Sequence, residues 1–198
     1  SPIGRCGKTS FALTLGQALA RDEKVLYLTL EEFSALSALT ATVYTSGLSD
    51  LLYYYTQREY NPVRLGGVTY NWGGLDYIPP LTNAEDKNGI SQAVFAGLVR
   101  RIASDGVYET LVLDVGMFCG GAEEVLSVCD LIYVPVMEDV VSTAKLEAWK
   151  EYLKRSGRSV IWEKLRFLKL PRPGQALVRE NYLEQLLWGE LGDFVREL

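Results

Sequence analysis

Apolar residues fall along this chain in two alternating rhythms. Short, mostly apolar runs occupy 24–30 (KVLYLTL), 75–78 (LDYI), 110–113 (TLVL), 131–134 (LIYV) and 165–170 (LRFLKL). Runs of this length, rich in branched and aromatic side chains, predict strands buried on both faces. Between them the apolar positions recur every three or four residues. Phe11, Leu15 and Leu19 do so in 10–20, and Val94, Phe95, Leu98, Val99 and Ile102 in 90–103. A third such stretch covers 142–154, and 48–57 predicts a short helix carrying Tyr53, Tyr54 and Tyr55, followed by a Gly/Asn/Pro-rich segment. Residues 181–198 predict a terminal helix with a stripe of Leu183, Leu187, Leu191, Phe194 and Leu198, which Gly189 and Gly192 weaken. Strands separated by amphipathic helices predict an α/β fold: a mostly parallel sheet with helices on both faces.

Composition narrows the chemistry. The 198 residues carry 48% hydrophobic and 23% charged residues, enough for one domain with a full core. No apolar run reaches the roughly 18 residues that span a bilayer, so direct membrane insertion is not expected. A net charge of −5 gives no overall field to attract DNA or anionic lipid. The count of histidines is 0, which excludes histidine-based triads, histidine-ligated zinc and a histidine general base; proton transfer falls to Asp, Glu, Lys, Tyr or Cys. Cys6, Cys119 and Cys129 form no even framework. They suit reduced thiols and a cytoplasmic address.

The chain opens SPIGRCGKTS. Gly7-Lys8-Thr9 leads straight into the helical pattern of 10–20, and a strand run follows it. A helix start offers unpaired N–H groups and the positive end of a dipole, which suit phosphate. In that reading the backbone of Gly4, Arg5, Cys6, Gly7 and Ser10 wraps the phosphates. Lys8 places a point charge on the β- and γ-phosphates, and the Thr9 hydroxyl ligates Mg²⁺. The plainer alternative is a turn that only caps a helix. Pro2 stands where G-x-x-x-x-G-K-[ST] has its first glycine, and its fixed φ forbids a left-handed turn, so Gly4 is expected to supply that freedom. A phosphate loop follows a strand. That strand is expected upstream of Ser1, which makes residues 1–198 one P-loop domain of a longer protein. Asp114 ends an apolar run and is followed by Val115-Gly116: the carboxylate suits Mg²⁺ support and the glycine a loop that moves. An Asp at a strand end is also a common turn former. Glu31 and Glu32 follow the strand run 24–30 and suit the opening of a helix.

Together SPIGRCGKTSFALTLGQALA, KVLYLTLEEF, LVLDVG and DLIYVPVMEDVVSTAKL resemble the MinD/ParA-type P-loop ATPases, and within them the TadZ/CpaE-like ATPases of pilus assembly. The resemblance implies ATP/ADP and Mg²⁺ as cofactors, a homodimer, pilus or secretion-machine partners, and an upstream receiver-like domain. It implies a cytoplasmic protein recruited to the membrane or cell pole through partners. It places a cross-subunit signature lysine at Ile3, where it is absent, and leaves Arg5 as the group to take over that role. It aligns Thr29 and Glu31 with a pair of aspartates that position the attacking water; with Thr29 in the first place, hydrolysis is expected to be slow or lost, as in a nucleotide-binding scaffold. Lys8, Glu31 and Asp114 then carry what catalysis there is. Pro135 and Glu138 fall near the base and ribose, and 170–173 (LPRP) lacks the usual base-reading Asn. The segment 117–121 (MFCGG) resembles the cluster-binding stretch of the nitrogenase iron protein, but no cysteine lies between Cys6 and Cys119 to complete the ligand set. Lys145, Lys150, Lys154, Arg155 and Arg158 are interrupted by Glu147 and Glu151, a solvated face rather than a DNA surface. A ParA-type DNA-partitioning ATPase and a kinase-like enzyme with a small-molecule acceptor are the alternatives. The acidic 181–198 stretch suits packing on the core or a partner rather than a membrane.

Overall fold

A computed structural model describes residues 1–31, 34–81, 90–116, 122–171 and 180–198. Three strands form the central parallel sheet: β1 (Val25–Thr29), β3 (Leu75–Ile78) and β4 (Thr110–Asp114). β1 lies between the other two, with Tyr27 opposite Tyr77 on one side and Val112 on the other. β2 (Tyr70–Trp72) adds an antiparallel edge on β3. β5 (Ile132–Pro135) and β6 (Leu165–Leu168) form a separate parallel pair. The order is thus β2-β3-β1-β4, then β5-β6. All five strand runs read from the sequence are strands.

Every residue of β1 is buried, as a run apolar on both faces requires. Alternate residues serve opposite layers. Val25 and Tyr27 pack with α1 (Lys8–Leu19) and α2 (Leu36–Thr40). Leu26 and Leu28 pack with α3 (Leu48–Thr56), α4 (Pro62–Gly67) and α5 (Gln92–Ser104). The side chains of Asn61 and Ser91 cap α4 and α5. α6 (Ala122–Val128), α7 (Val140–Arg155) and α8 (Ser159–Lys164) enclose a third cluster around Val134 and Leu165. Tyr54 and Tyr55 lean on the core beside α3, whereas Tyr53 is exposed.

The tail departs from expectation. In place of one helix there are two, α9 (Tyr182–Leu187) and α10 (Glu190–Arg196). Gly189 is extended (φ −96°, ψ −176°) and starts α10. A Cβ on Gly192 would collide with the Leu187 carbonyl, so glycine permits the tight corner. With the helix broken, the predicted stripe does not form one face: Leu186 and Val195 are the buried apolar side chains, and Leu198 is exposed. No helix among the described residues is long and apolar enough to cross a membrane.

Candidate functional site at the amino end of the first helix

Gly7 caps α1 in the left-handed conformation (φ 83°), and its carbonyl accepts the Phe11 N–H at 2.9 Å. A Cβ there would sit 3.3 Å from Leu170, so glycine lets the end of β6 approach the loop. The first N–H groups of α1 have no partner within the helix.

The second left-handed residue of the loop is Arg5 (φ 57°), which corrects the expectation for Gly4. Ile3, 2% exposed, and Cys6 both drop into the cluster holding Val134 and Trp149. Two inward anchors three residues apart force the chain to reverse between them, and the reversal falls on Arg5, whose side chain is exposed. Left-handed backbone costs a non-glycine residue about 1 kcal/mol. Arg5→Gly is therefore expected to raise the unfolding midpoint by about 2–4 °C, checked by thermal melts without nucleotide.

Lys8 Nζ donates to the Ile3 carbonyl at 2.8 Å and lies 3.9 Å from Cys6 Sγ, folding over the loop. Thr9 Oγ1 donates to Glu31 Oε2 at 3.3 Å. Ser10 Oγ and the Tyr182 hydroxyl are 2.7 Å apart, tying α9 to the same helix end. Glu31 follows β1, where its N–H donates to Thr29 Oγ1 at 3.2 Å. Thr29 is buried and pairs in register with Asp114. Asp114, 2% exposed, accepts from the Tyr27 hydroxyl at 3.1 Å. Burial, and then the Asp114 carboxylate, push the Tyr27 hydroxyl well above its ordinary value, so it remains a donor. Sequence reasoning passed over Tyr27. Its signal was a tyrosine inside an apolar run, because a buried hydroxyl needs a partner.

Gly116 has φ 59°, and a Cβ on it would stand 2.8 Å from Glu31 Cγ. The loop after β4 thus crosses directly over the carboxylate bonded to Thr9. Gly116→Ala is expected to push Glu31 aside and to add about 1–2 kcal/mol of backbone strain. Melts and nucleotide titration of that variant read the two effects separately. Glu32 and 117–121, which include Cys119, lie outside the described residues, as do Arg172 and Pro173.

Lys8, Asp114, Gly116 and Pro135 line one cavity. Glu138 is not on that lining; it forms an exposed ion pair with Lys169 at 2.7 Å. Val136 N–H donates to the Leu168 carbonyl, so the ends of β5 and β6 are stitched together beside the loop. Asp139 caps α7 by accepting from the Ser142 N–H at 3.0 Å, and hydrogen bonding by the Ser142 side chain, then by its N–H, lowers the Asp139 carboxyl. Along α7, Lys150 pairs with Glu147 at 2.8 Å and lies over Phe167, while Lys154 lies over Trp162. These cations are engaged locally, as a solvated face implies. Cys129 is partly buried, and its thiol donates to the Val125 carbonyl at 3.4 Å. Burial pushes it up to about 11 from 9.0.

The donor set fits a hard cation and a polyphosphate. Thr9, Glu31 and Asp114 offer oxygen only, which suits Mg²⁺. Lys8 and the helix start supply the positive counterpart.

No family model and no curated protein matches the sequence. Solved structures do. A ParA family ATPase from Chlorobium tepidum TLS superposes with a TM-score of 0.78 at 17% identity, over 100% of this chain and 97% of that one. The septum site-determining protein MinD from Pyrococcus horikoshii OT3, complexed with Mg-ADP, gives 0.70 at 15%, over 99% and 90%. A plasmid partition protein from Borrelia burgdorferi B31, bound to AMPPNP, gives 0.66 at 12%, over 100% and 97%. At such identities the likeness is one of fold: this chain has the mixed α/β, mostly parallel architecture of the ParA/MinD P-loop NTPases.

Proposed function

We propose that the protein is an ATP-binding switch that dimerises around Mg-ATP and organises a pilus- or secretion-assembly machine. One observation carries the nucleotide part: Lys8, Thr9, Glu31 and Asp114, drawn from three separate elements, converge on the start of one helix. In this reading Lys8 binds the β- and γ-phosphates, and Thr9 and Asp114 hold the metal. Bound Mg²⁺ neutralises charge on the triphosphate. Glu31, which accepts from Thr9, is the carboxylate placed to orient water. Its extra methylene and the buried Thr29 beside it suit slow turnover, so the protein acts by occupancy more than by rate. Gly116 gives the loop over Glu31 the freedom to respond.

Arg5 supports the dimer. Ile3 points into the core and cannot reach a partner, whereas Arg5 is exposed at the apex of the loop. Sedimentation is expected to show a dimer with Mg-ATP and a monomer with ADP, and Arg5→Ala to weaken the dimer. A monomer under every nucleotide condition would remove the switch.

The assembly role rests on the resemblance to TadZ/CpaE-like ATPases and on the character of the tail. Trp188 is 70% exposed, with the Arg21 and Arg196 guanidiniums over its ring, in a tail whose sequence carries Glu184, Glu190, Asp193 and Glu197, which suits a protein partner better than a membrane. Such a partner would bring a cytoplasmic protein to the membrane or cell pole. The likeness to a plasmid partition protein favours DNA partitioning as a second reading. ATP-dependent binding to random-sequence DNA that falls steeply with salt would select it. Acceptor-dependent ADP release would select the kinase-like alternative.

A further inference from the structure

Charge is unevenly divided along this chain. Residues 145–169 carry eight Lys or Arg against three Glu, in a chain whose net charge is −5. The α7 row alone is a solvated face, interrupted by Glu147 and Glu151. The fold sets two aromatic rings and a strand edge beside it. Phe167 of β6 lies under Lys150, with the ammonium 4.9 Å from the ring centre, and Trp162 of α8 lies under Lys154 at 5.3 Å. Lys150 and Lys154 are one helical turn apart, so the two capped rings are neighbours. Both rings remain more than a third exposed, at 39% and 37%. The edge belongs to β6, which bonds β5 on one side; among the described residues no strand lies on its other side. The Leu168 carbonyl accepts from Val136 N–H and so faces β5. Residues of a parallel ladder alternate in this respect, which turns the N–H and C=O of Phe167 and Lys169 outward. At the start of the strand the outward side is already engaged. The Leu165 N–H donates to the Trp162 carbonyl, and Arg166 Nη1 donates to the Glu163 and Leu165 carbonyls at 3.0 and 2.9 Å. A guanidinium thus rests on the edge itself, and among the described residues it is bonded to backbone carbonyls and to no carboxylate.

We propose that the outer edge of β6, with its two lysine-capped rings, takes an acidic, extended segment of a partner protein. The segment pairs with the backbone of Phe167 and Lys169 and sets its carboxylates against Lys150, Lys154 and Arg166. An unpaired strand edge offers main-chain bonds to an extended chain. The cations decide which chain. Phe167 shares a face with Leu165, which packs beside α7, where the two lysines stand. Arg166 belongs to the opposite face, because side chains alternate along a strand. Successive residues of an added strand alternate as well, so carboxylates on both of its faces find a cation. That is the chemistry of an acidic run rather than of a single carboxylate. Cations on an edge also repel basic strands, which gives selectivity along with protection. The pair of Lys150 with Glu147 does not stand in the way, since an exposed ion pair is worth little and exchanges readily for an incoming carboxylate. Nucleic acid fits less well: phosphates demand cations without carboxylates between them, and Glu147, Glu151 and Glu163 lie in the same stretch.

The test uses the chain without nucleotide, so its outcome does not depend on the phosphate reading. The probe is a labelled peptide of about eight residues, Asp and Glu with valines between them, the length of an ordinary strand. Three controls accompany it: the same peptide N-methylated along its backbone, a Lys/Arg peptide of equal length, and random-sequence duplex DNA. Fluorescence anisotropy gives the affinity, and backbone amide resonances give the place. The acidic peptide is expected to bind saturably, to weaken as salt rises, and to shift the Phe167 and Lys169 amides most. N-methylation removes ladder donors and no charge, and is expected to weaken binding by about tenfold or more. Lys150→Glu combined with Lys154→Glu is expected to weaken it by at least about tenfold, with the melting midpoint near that of the parent, and Arg166→Glu to weaken it in the same direction. If the reversals unfold the chain, Lys150→Gln with Lys154→Gln replaces them. Absence of saturable binding at low salt, equal binding of the N-methylated peptide or of the Lys/Arg peptide, or an affinity indifferent to the lysine changes would overturn the proposal. So would DNA that binds more tightly than the acidic peptide and is lost with the same lysine changes, which would make the patch a nucleic-acid surface.

Discussion

Lys8→Ala is expected to weaken Mg-ATP binding by about a hundredfold or more while leaving the protein folded. Lys8 is partly exposed, and its ammonium reaches the Ile3 carbonyl. Losing that bond costs about 1 kcal/mol, or roughly 2–4 °C in the melting midpoint. The loss in binding is larger. An ammonium touching two phosphate groups makes charge-assisted bonds worth about 1.5–3 kcal/mol each. Calorimetry reads the affinity and a melt reads the fold. Arginine is a poor substitute, because its planar fork does not fit where a point charge must fold over the loop. Lys8→Arg is expected to recover stability but little affinity. An affinity within about threefold of the parent in both variants, set against that hundredfold expectation, would take the phosphates away from the start of α1.

Asp114→Asn is expected to separate stability from function in the opposite sense. Asp114 is buried and bonded to the Tyr27 hydroxyl. A buried carboxylate is costly unless it is well compensated. Asparagine keeps an oxygen for Tyr27 and drops the charge, so the free protein is expected to gain about 1–3 kcal/mol, a rise of a few degrees. The same change removes an anionic support for the metal. The Mg²⁺ dependence of nucleotide binding should therefore disappear while metal-free binding remains. Tyr27→Phe is the companion: it leaves the carboxylate without its donor, and the melting midpoint falls. A destabilised Asp114→Asn that still responds to Mg²⁺ would show the carboxylate to be structural.

Cys129 gives a smaller pH effect. Its folded value, about 11, lies above the unfolded 9.0, so burial of the thiol contributes stability fully below pH 9 and loses it as pH rises toward 11. At pH 8 its alkylation is expected to run about a hundredfold slower than that of a free thiol, following the thiolate fraction. Mass spectrometry after timed labelling checks this.

The strands were legible because a parallel sheet covered on both sides demands unbroken apolar runs, and KVLYLTL meets that demand at every residue of β1. β2 was not legible: it is three residues long, antiparallel, and half-exposed at an edge beside glycines, where neither periodicity nor a run can form. The tail read as one helix because its spacing outweighed two glycines, and the tight corner at Gly192 shows the glycines to be the stronger signal. At the candidate site, the placing of Lys8 and Thr9 at the start of α1 and of Asp114 at the end of β4 could be read from motif spacing. The contact of Glu31 with Thr9, the closeness of Gly116 to Glu31, and Tyr27 beneath Asp114 all join segments far apart in sequence. No local pattern encodes them. The left-handed turn was expected at Gly4 rather than Arg5 because sequence rules assign such turns to glycine, whereas here the inward pull of Ile3 and Cys6 decides the turn.

The central claim is that the start of α1 grips a triphosphate and its metal. Backbone amide resonances followed during titration with Mg-ATP test it most directly. The account predicts saturable shifts concentrated at Gly4 through Ser10, with smaller ones at Glu31, Asp114 and Gly116, and none of comparable size on α7 or α9. Titration to saturation that leaves Gly7, Lys8 and Thr9 unmoved, or that moves a different surface, would contradict it.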